Sequence, residues 1–351
     1  MELLSPAGSL EKLHIAYRFG ADAAYVGVRG LSLRRSADII DLDRFATDER
    51  ALETTCSELE RLKNIDGTSR RLYAALNLFA DDEDVGRISQ LLPVLARLPI
   101  DAVIVSDIGL VEPLRKSMPD VELHLSTQAN CTNAGAVRVY RDLGFRRIIA
   151  AREMTLDGVK AIRDAVPDVE IETFVHGAMC MSFSGRCFLS AALTGRSANR
   201  GDCAHSCRWN YVLMEEKRPG EYYPIEETQR FSTILSARDL NLYDHLETLR
   251  DAGISAIKIE GRNKSALYAA ITTGAYRRRI DALSRGVPRA DLGEEEHLWR
   301  SLLQELPHRD YTTGFLLTDT TVHSPSGPAG ASPYRIMGII GARVGETAER
   351  K

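Results

Sequence analysis

The chain lacks several features that would name a class at once. It has no basic stretch followed by an apolar run at its start, "MELLSPAGSLEKLHIAYRFG", so no export signal is expected. No run of about 18 apolar residues occurs, so no spanning helix and no membrane partner are expected. There is no excess of positive charge: the net charge is −4 over 351 residues, so any anionic partner must meet a local patch. There is no CxxC knuckle, no HExxH and no evident Ser-His-Asp set, which leaves zinc ribbons, zincins and serine hydrolases without their usual marks. No Gly-rich phosphate fingerprint follows the first apolar run; "SPAGS" (5–9) reads as a Pro/Gly turn. What remains is ordinary globular composition, 44% hydrophobic and 27% charged, in a compartment expected to be cytoplasmic and reducing.

A module recurs along the chain. A helical stretch ends in Gly, an apolar run follows, and polar residues close it, as in "YRFGADAAYVGVRG" (17–30), "YRDLGFRRIIAARE" (140–153) and "LRDAGISAIKIEGR" (249–262). Gly supplies the positive φ of a helix C-cap, and the apolar run reads as a buried parallel strand. "LPIDAVIVSDIG" (98–109) is a variant with Pro in place of Gly. "PDVELHLSTQAN" and "PDVEIETFVHGA" repeat a turn, a strand and a polar strand end 48 residues apart, at Pro119 and Pro167. The pattern predicts strands at 2–4, 23–28, 72–78, 102–106, 122–126, 147–151, 170–175 and 255–260, with amphipathic helices between most of them. Eight alternations over about 270 residues predict an α/β fold of the (β/α)8 TIM-barrel type. The barrel is expected over 1–317, with a cysteine-cluster loop at 176–211 and a polar loop or hairpin at 214–230. A Ser/Pro/Gly/Thr-rich linker should follow at 318–333, then the start of a small C-terminal β segment at 334–351.

In such a barrel the chemistry sits at the C-terminal strand ends. "HGAMCMSFSGRCFLSAALTGRSANRGDCAHSCRW" (176–209) begins directly after the seventh strand and carries four of the six cysteines, Cys180, Cys187, Cys203 and Cys207. Arg186, Arg196, Arg200 and Arg208 against Asp202 make it about +3, which favours thiolates. The spacing admits an iron–sulfur cluster, zinc, a nucleophile or redox pair, or packed thiols. Cys203 and Cys207, four apart, would share one face of a short helix. Cys131 reads as a packed thiol and Cys56 as a helical one.

Other strand ends add candidates. His176 and Glu172 could act in acid/base chemistry, Glu172 by facing the lumen and pairing with Arg152 or Lys258. Lys258, Glu260 and Arg262 share one strand side and would face the lumen. Ser126, Gln128 and Asn130, joined by Asn77, could hydrogen-bond a planar base or acid. "YRRRID" (276–281) and "HRDY" (308–311) could touch phosphate, although Arg and Lys usually decorate solvated faces.

"ETFVHGAMCMSFSGRCFLS" (172–190) resembles, without a gap, the signature of the collagenase-like peptidase U32 family, through Glu172, Phe174, Gly177, Cys180, Gly185, Cys187 and Ser190. "LLSPAGS", "ADAAYVG", "LHLSTQAN" and "IKIEGRNKS" are similar to further family landmarks, so the resemblance runs over about 1–317. "GDCAHSCRWNY" and "LPHRDYTTGFL" look most like its tRNA-hydroxylating branch. The resemblance implies a component of an oxygen-independent hydroxylation of tRNA wobble uridine. It also implies a 4Fe–4S cluster (zinc being the alternative) on Cys180, Cys187, Cys203 and Cys207, and prephenate as the required metabolite. In another branch the fourth cysteine comes later; here "SARDLN" carries Asn241 at that place, which favours Cys207. A dicarboxylate such as prephenate would need Arg clamps, and Arg152 and Arg262 are the candidates. The alternatives are a peptidase, as the family name says, hydroxylation of ribosomal RNA or a quinone precursor, and a non-catalytic iron–sulfur subunit of a larger assembly. A homo- or hetero-oligomer is left open. The chain departs from the family pattern in the charge-rich stretch after "SLRRSADIIDLDRF" and in its C-terminal β-rich module, which is only begun.

Overall fold

A computed structural model describes residues 1–33, 38–180, 182–209, 213–214, 216–217, 222–223, 237–288 and 291–317. The expected linker and C-terminal β segment lie outside the described residues.

Eight parallel strands form the centre: β1 Glu2–Ala7, β2 Ala23–Val28, β3 Arg71–Leu76, β4 Ala102–Val105, β5 Glu122–Leu125, β6 Phe145–Ile149, β7 Glu170–Ala178 and β8 Ala256–Ile259. Each pairs with the next, and β8 pairs in parallel with both β7 and β1, so the sheet closes on itself. This is a (β/α)8 barrel. All eight strands coincide with the predicted runs to within a few residues. Two strands run three residues past their predicted ends: β7 through Ala178, and β1 through Ser5, Pro6 and Ala7, where a turn was expected. The reason is tertiary: these residues stay in register with Ala24, Tyr25 and Val26 of β2.

A helix follows each strand: α1 Leu10–Arg18, α2 Glu49–Lys63, α3 Asp82–Leu95, α4 Val111–Ser117, α5 Ala134–Asp142, α6 Leu156–Ala165, α7 Leu246–Asp251 and α8 Ala266–Ser284. Local chemistry starts and stops them. Ser9, Asn133, Thr155 and Ser265 accept from backbone N–H groups of the first turn, and Asp81 forms a reciprocal capping box with Asp84. Gly20, Gly144 and Gly253 end α1, α5 and α7 with φ of 94°, 94° and 84°. These are the positions the recurring module placed there. A further helix after the barrel, α9 Gly293–Glu305, packs on α8. Trp299 lies against Gly274, where a Cβ would sit 2.6 Å from the ring.

Between β7 and α7 the chain leaves the barrel. It returns as a short strand, Asp239–Asn241, antiparallel to the outer end of β7, with Tyr311–Thr312 beside it. Within the excursion Leu213–Met214 pairs with Tyr222–Tyr223, part of the hairpin expected at 214–230. Among the described residues no helix is long and apolar enough to cross a membrane.

The lumen is ionic in its lower half. Arg147 reaches Glu2 (2.6 Å), Glu170 (2.7 Å) and Glu172 (3.2 Å), and Lys258 lies 3.1 Å from the other Glu172 oxygen. Tyr73 donates to Glu2 at 3.0 Å and packs edge-on against the buried His124. These charges close the barrel from below and leave the space above open.

Candidate functional site

At the C-terminal end of the barrel the strand ends and the cysteine loop enclose a cavity of about 1230 Å³, counted to its open mouth. Lys258 forms its floor, its ammonium 4.4 Å above the Tyr25 ring and 5.6 Å from Phe174. Asn77, Ser126 and Gln128 line one wall, Arg152, Glu260 and Arg262 another. All four loop cysteines line the same space.

Hydrogen bonds fix the loop over the mouth. Ser184 is buried; its N–H and hydroxyl donate to the Glu153 carboxylate, and its oxygen accepts from Arg152 N. Asn199 donates to Cys187 O at 2.9 Å, and its own carbonyl accepts from Phe79 N at 2.8 Å. Arg200 anchors the far side to Asp81 and Asp84. Gly185, at φ 71°, lets the loop backbone lie against Gln128: a Cβ there would come within 2.0 Å of the Gln128 carbonyl oxygen. Gly185→Ala is therefore expected to lift the loop while leaving the barrel folded. Far-UV circular dichroism should stay unchanged while protease cleavage within 180–209 accelerates at least about tenfold, the effect of raising the docked loop's free energy by about 1.4 kcal/mol.

The thiols are reduced and share one electrostatic environment. None of the six cysteines is in a disulfide. Burial raises the Cys207 thiol; Arg208 opposes this, and the neighbouring Cys180, Cys203 and Cys187 add to the rise. Arg152 points a guanidinium nitrogen at Cys180 Sγ (3.7 Å), and His205 N–H donates to Cys203 Sγ at 3.3 Å. The donor set suits an iron–sulfur cluster or zinc: four free thiols, N–H donors and nearby cations in one cavity. The thiols are not closed into a ligand shell, and no group of three or more His, Cys, Asp or Glu among the described residues is gathered as a metal site. Cys203 and Cys207 do not share a helix face. His205, at φ 54°, breaks the backbone between them, and only Cys207 lies in the short turn Ser206–Arg208.

Arginines supply the other half of the chemistry. Arg152 donates to Ala178 O (2.9 Å), lies 3.8 Å from Glu260 and stacks on Phe174 at 4.3 Å. Arg262 is buried and donates to Ser32 Oγ at 3.2 Å. The Nε atoms of Arg152 and Arg208 are buried without a hydrogen-bond partner. Two orphaned donors in one cavity are what a bound anion would satisfy.

Three sequence candidates do not line the cavity. Glu172 is wholly buried beneath it, between Lys258 and Arg147. Burial alone would raise its carboxyl, but the two cations reverse this and hold it below the usual carboxylate range. Burial lowers Lys258, against the pull of Glu172. Asn130, in the left-handed region at φ 55°, turns its amide to Glu153 and so braces the loop. His176 faces outward. β7 and β8 slip register between Lys258↔Phe174 and Ile259↔His176, an irregularity that aligns His176 with a residue of the outer face. Its ring sits among Tyr268, Tyr276 and Tyr311, with Nδ1 3.4 Å from the Tyr276 hydroxyl.

Burial, aided by the charges of His308 and Lys264, lowers His176 to about 3. The unfolded chain takes up this proton near pH 6.5, whereas the folded one refuses it until about 3, so this contribution to stability falls as pH drops through that window. Between pH 6.5 and 5 it should cost about 2 kcal/mol. Urea titrations of wild type and His176→Asn at both pH values measure it; equal pH slopes would contradict this account.

The model of "Peptidase family U32" matches residues 8–325. The chain belongs to this family. Among its relatives is the "tRNA hydroxylation protein P" of Helicobacter pylori (strain J99), 39% identical over 320 residues, covering 90% of this chain and 72% of the relative. The protein of the same name from Escherichia coli (strain K12) is 34% identical over 359 residues, covering 91% of this chain and 75% of its own length. The "23S rRNA 5-hydroxycytidine C2501 synthase" of Escherichia coli is 34% identical over 357 residues, covering 99% of this chain but 49% of that protein. Family membership accords with the barrel and with the signature across β7 and the cysteine loop. Sequence reasoning passed over the members of the site that work through backbone bonds: Ser184 and Asn199, which hold the loop, and Glu153, noted only as a strand-end residue. Arg208 was visible only as one of four interleaved arginines.

Proposed function

We propose that this chain carries out hydroxylation of an unpaired uridine in tRNA, without molecular oxygen, at the barrel-mouth cavity. The observation that carries the reading is one cavity in which four free thiols face Lys258 and a set of arginines. The names of the relatives supply the substrate class: tRNA for the more similar ones, ribosomal RNA for another.

In this reading Cys180, Cys187, Cys203 and Cys207 hold a 4Fe–4S cluster, which when bound supplies one-electron redox chemistry. Arg152 and Arg208, whose Nε atoms lack partners, and Arg262 bind the carboxylates of a prephenate-like metabolite. Asn77 Oδ1 accepts from Leu33 N, leaving its NH₂ for a uracil carbonyl, and Gln128 offers both a donor and an acceptor beside it. Tyr25 and Phe174 carry Lys258 and Arg152 on their ring faces, and Lys258 is placed to deliver or hold a proton at the cavity floor. A base reaches this depth only when unstacked, which a tRNA loop allows at little cost. Peptide hydrolysis, the reading in the family's name, would draw on a nucleophile with a histidine base; His176 is turned away from the cavity, and His205 is the histidine that lines it beside the thiols.

Nucleoside analysis of tRNA from cells lacking the gene tests the proposal. The 5-hydroxyuridine derivatives should disappear and return with the wild-type gene; an unchanged profile would refute it.

A further inference from the structure

Beside the main cavity lies a second depression of about 700 Å³, lined among others by Phe79, Asp107, Ile108, Tyr140 and Arg186. The two share a thin wall, made by Asn77, Gln128, Gly185 and Asn199. Part of that wall is backbone alone, where Gly185 lies against the Gln128 carbonyl. The two spaces are therefore adjacent, one nucleotide apart for a chain that fills both.

The residues of this groove do not fit a solvated face. Phe79 and Ile108 are each 61% exposed. Phe79 is held in place by its backbone, which donates to Asn199 O and whose carbonyl accepts from Arg200. Tyr140 is braced edge-on by Phe145, with ring centroids 5.5 Å apart. Arg186 is exposed, near enough to Tyr140 to influence its hydroxyl, and among the described residues it has no ion-pair partner. Arg196 and Arg200 of the same loop are both paired with aspartates. Phe183, 67% exposed, stands on the loop between the two spaces. An exposed ring on an anchored backbone, an uncommitted guanidinium and a carboxylate at Asp107 suit a nucleotide: a base to stack, a phosphate to neutralise, and base-edge donors to accept.

We propose that this groove binds the nucleotide next to the one acted on, its base stacked on Phe79 and its phosphate on Arg186. The proposal rests on the RNA-hydroxylation reading and adds to it a second, specificity-bearing subsite. It makes the enzyme a reader of at least one unpaired neighbour, and so explains selection of a loop over a lone nucleoside.

The test uses the full chain and a tRNA anticodon stem-loop, with binding followed by fluorescence anisotropy. Phe79→Ala should weaken binding about tenfold, within the range for loss of one base–aromatic stack, and Phe79→Trp should restore it. Arg186→Ala should weaken binding and reduce the salt slope by about one. Stem-loops with an abasic site next to the target uridine should bind wild type about tenfold more weakly, yet bind Phe79→Ala no worse than the intact loop does. Equal abasic penalties in both proteins, or unchanged affinity of both variants, would overturn the groove while leaving the RNA reading intact. Failure of wild type to bind any stem-loop would instead remove the RNA reading and the groove with it. An apolar protein segment as the occupant would show as RNA affinity indifferent to Phe79.

Discussion

On the proposed cluster assignment, serine at Cys207 is expected to remove most of the iron and to reduce tRNA hydroxylation to the level of a gene deletion. The thiolate of a cysteine ligates iron far better than a serine hydroxyl, and three thiolates leave one cluster corner open. Cys180→Ser, Cys187→Ser and Cys203→Ser should behave alike, because all four thiols face one cavity and Cys207 responds to the other three. Cys56→Ser is the control. Its thiol lies on α2, donates to Arg97 O at 3.4 Å, and should leave iron content unchanged. Iron per chain and 5-hydroxyuridine yield are the two readouts. A Cys207→Ser protein with full iron and full activity would eliminate Cys207 as a ligand.

The second large effect is on stability. Glu172→Gln should cost about 3–5 kcal/mol, because Lys258 and one guanidinium nitrogen of Arg147 would keep their charges in a closed lumen without their shared carboxylate. At about 1.5 °C per kcal/mol for a domain of this size, Tm should fall by roughly 4–8 °C. The double variant Glu172→Met with Lys258→Met should recover much of the loss, since apolar side chains of similar volume can replace a buried pair with little penalty. Arg147 keeps Glu2 and Glu170 in that background. Thermal unfolding of the three proteins decides. A Glu172→Gln protein as stable as wild type would mean that water, rather than Glu172, balances Lys258.

The sequence was legible wherever the chain is regular. Apolar runs marked all eight strands, three of them announced by C-cap glycines, and period two put Lys258 and Glu260 on the lumen side, where they line the cavity. His176, read as a strand-end acid/base candidate, does not reach the cavity. One irregularity in the pairing of β7 with β8 moves that ring to the outer face, and nothing in "ETFVHGA" signals it. Arg147 was hidden for a related reason. It sits in "FRRII" beside the exposed Arg146, and only strand register decides which of the two enters the lumen. The loop resisted prediction because its shape depends on single contacts. Glu153, Ser184 and Asn130 form one hydrogen-bonded knot drawn from three separate segments. Likewise a left-handed His205 separates Cys203 from Cys207 where spacing suggested a helix. Chemistry was easier to read than geometry: the four cysteines and their arginines were conspicuous in sequence, while their relative placement needed the fold.

The central claim is that these four thiols hold an iron–sulfur cluster. Anaerobic purification of the full chain, with iron and inorganic sulfide assays and an absorption spectrum, tests it most directly. The account predicts a brown protein with about four iron and four sulfide per chain, and with visible absorption that bleaches on reduction. Colourless protein that carries zinc, or no metal at all, after anaerobic preparation would contradict it.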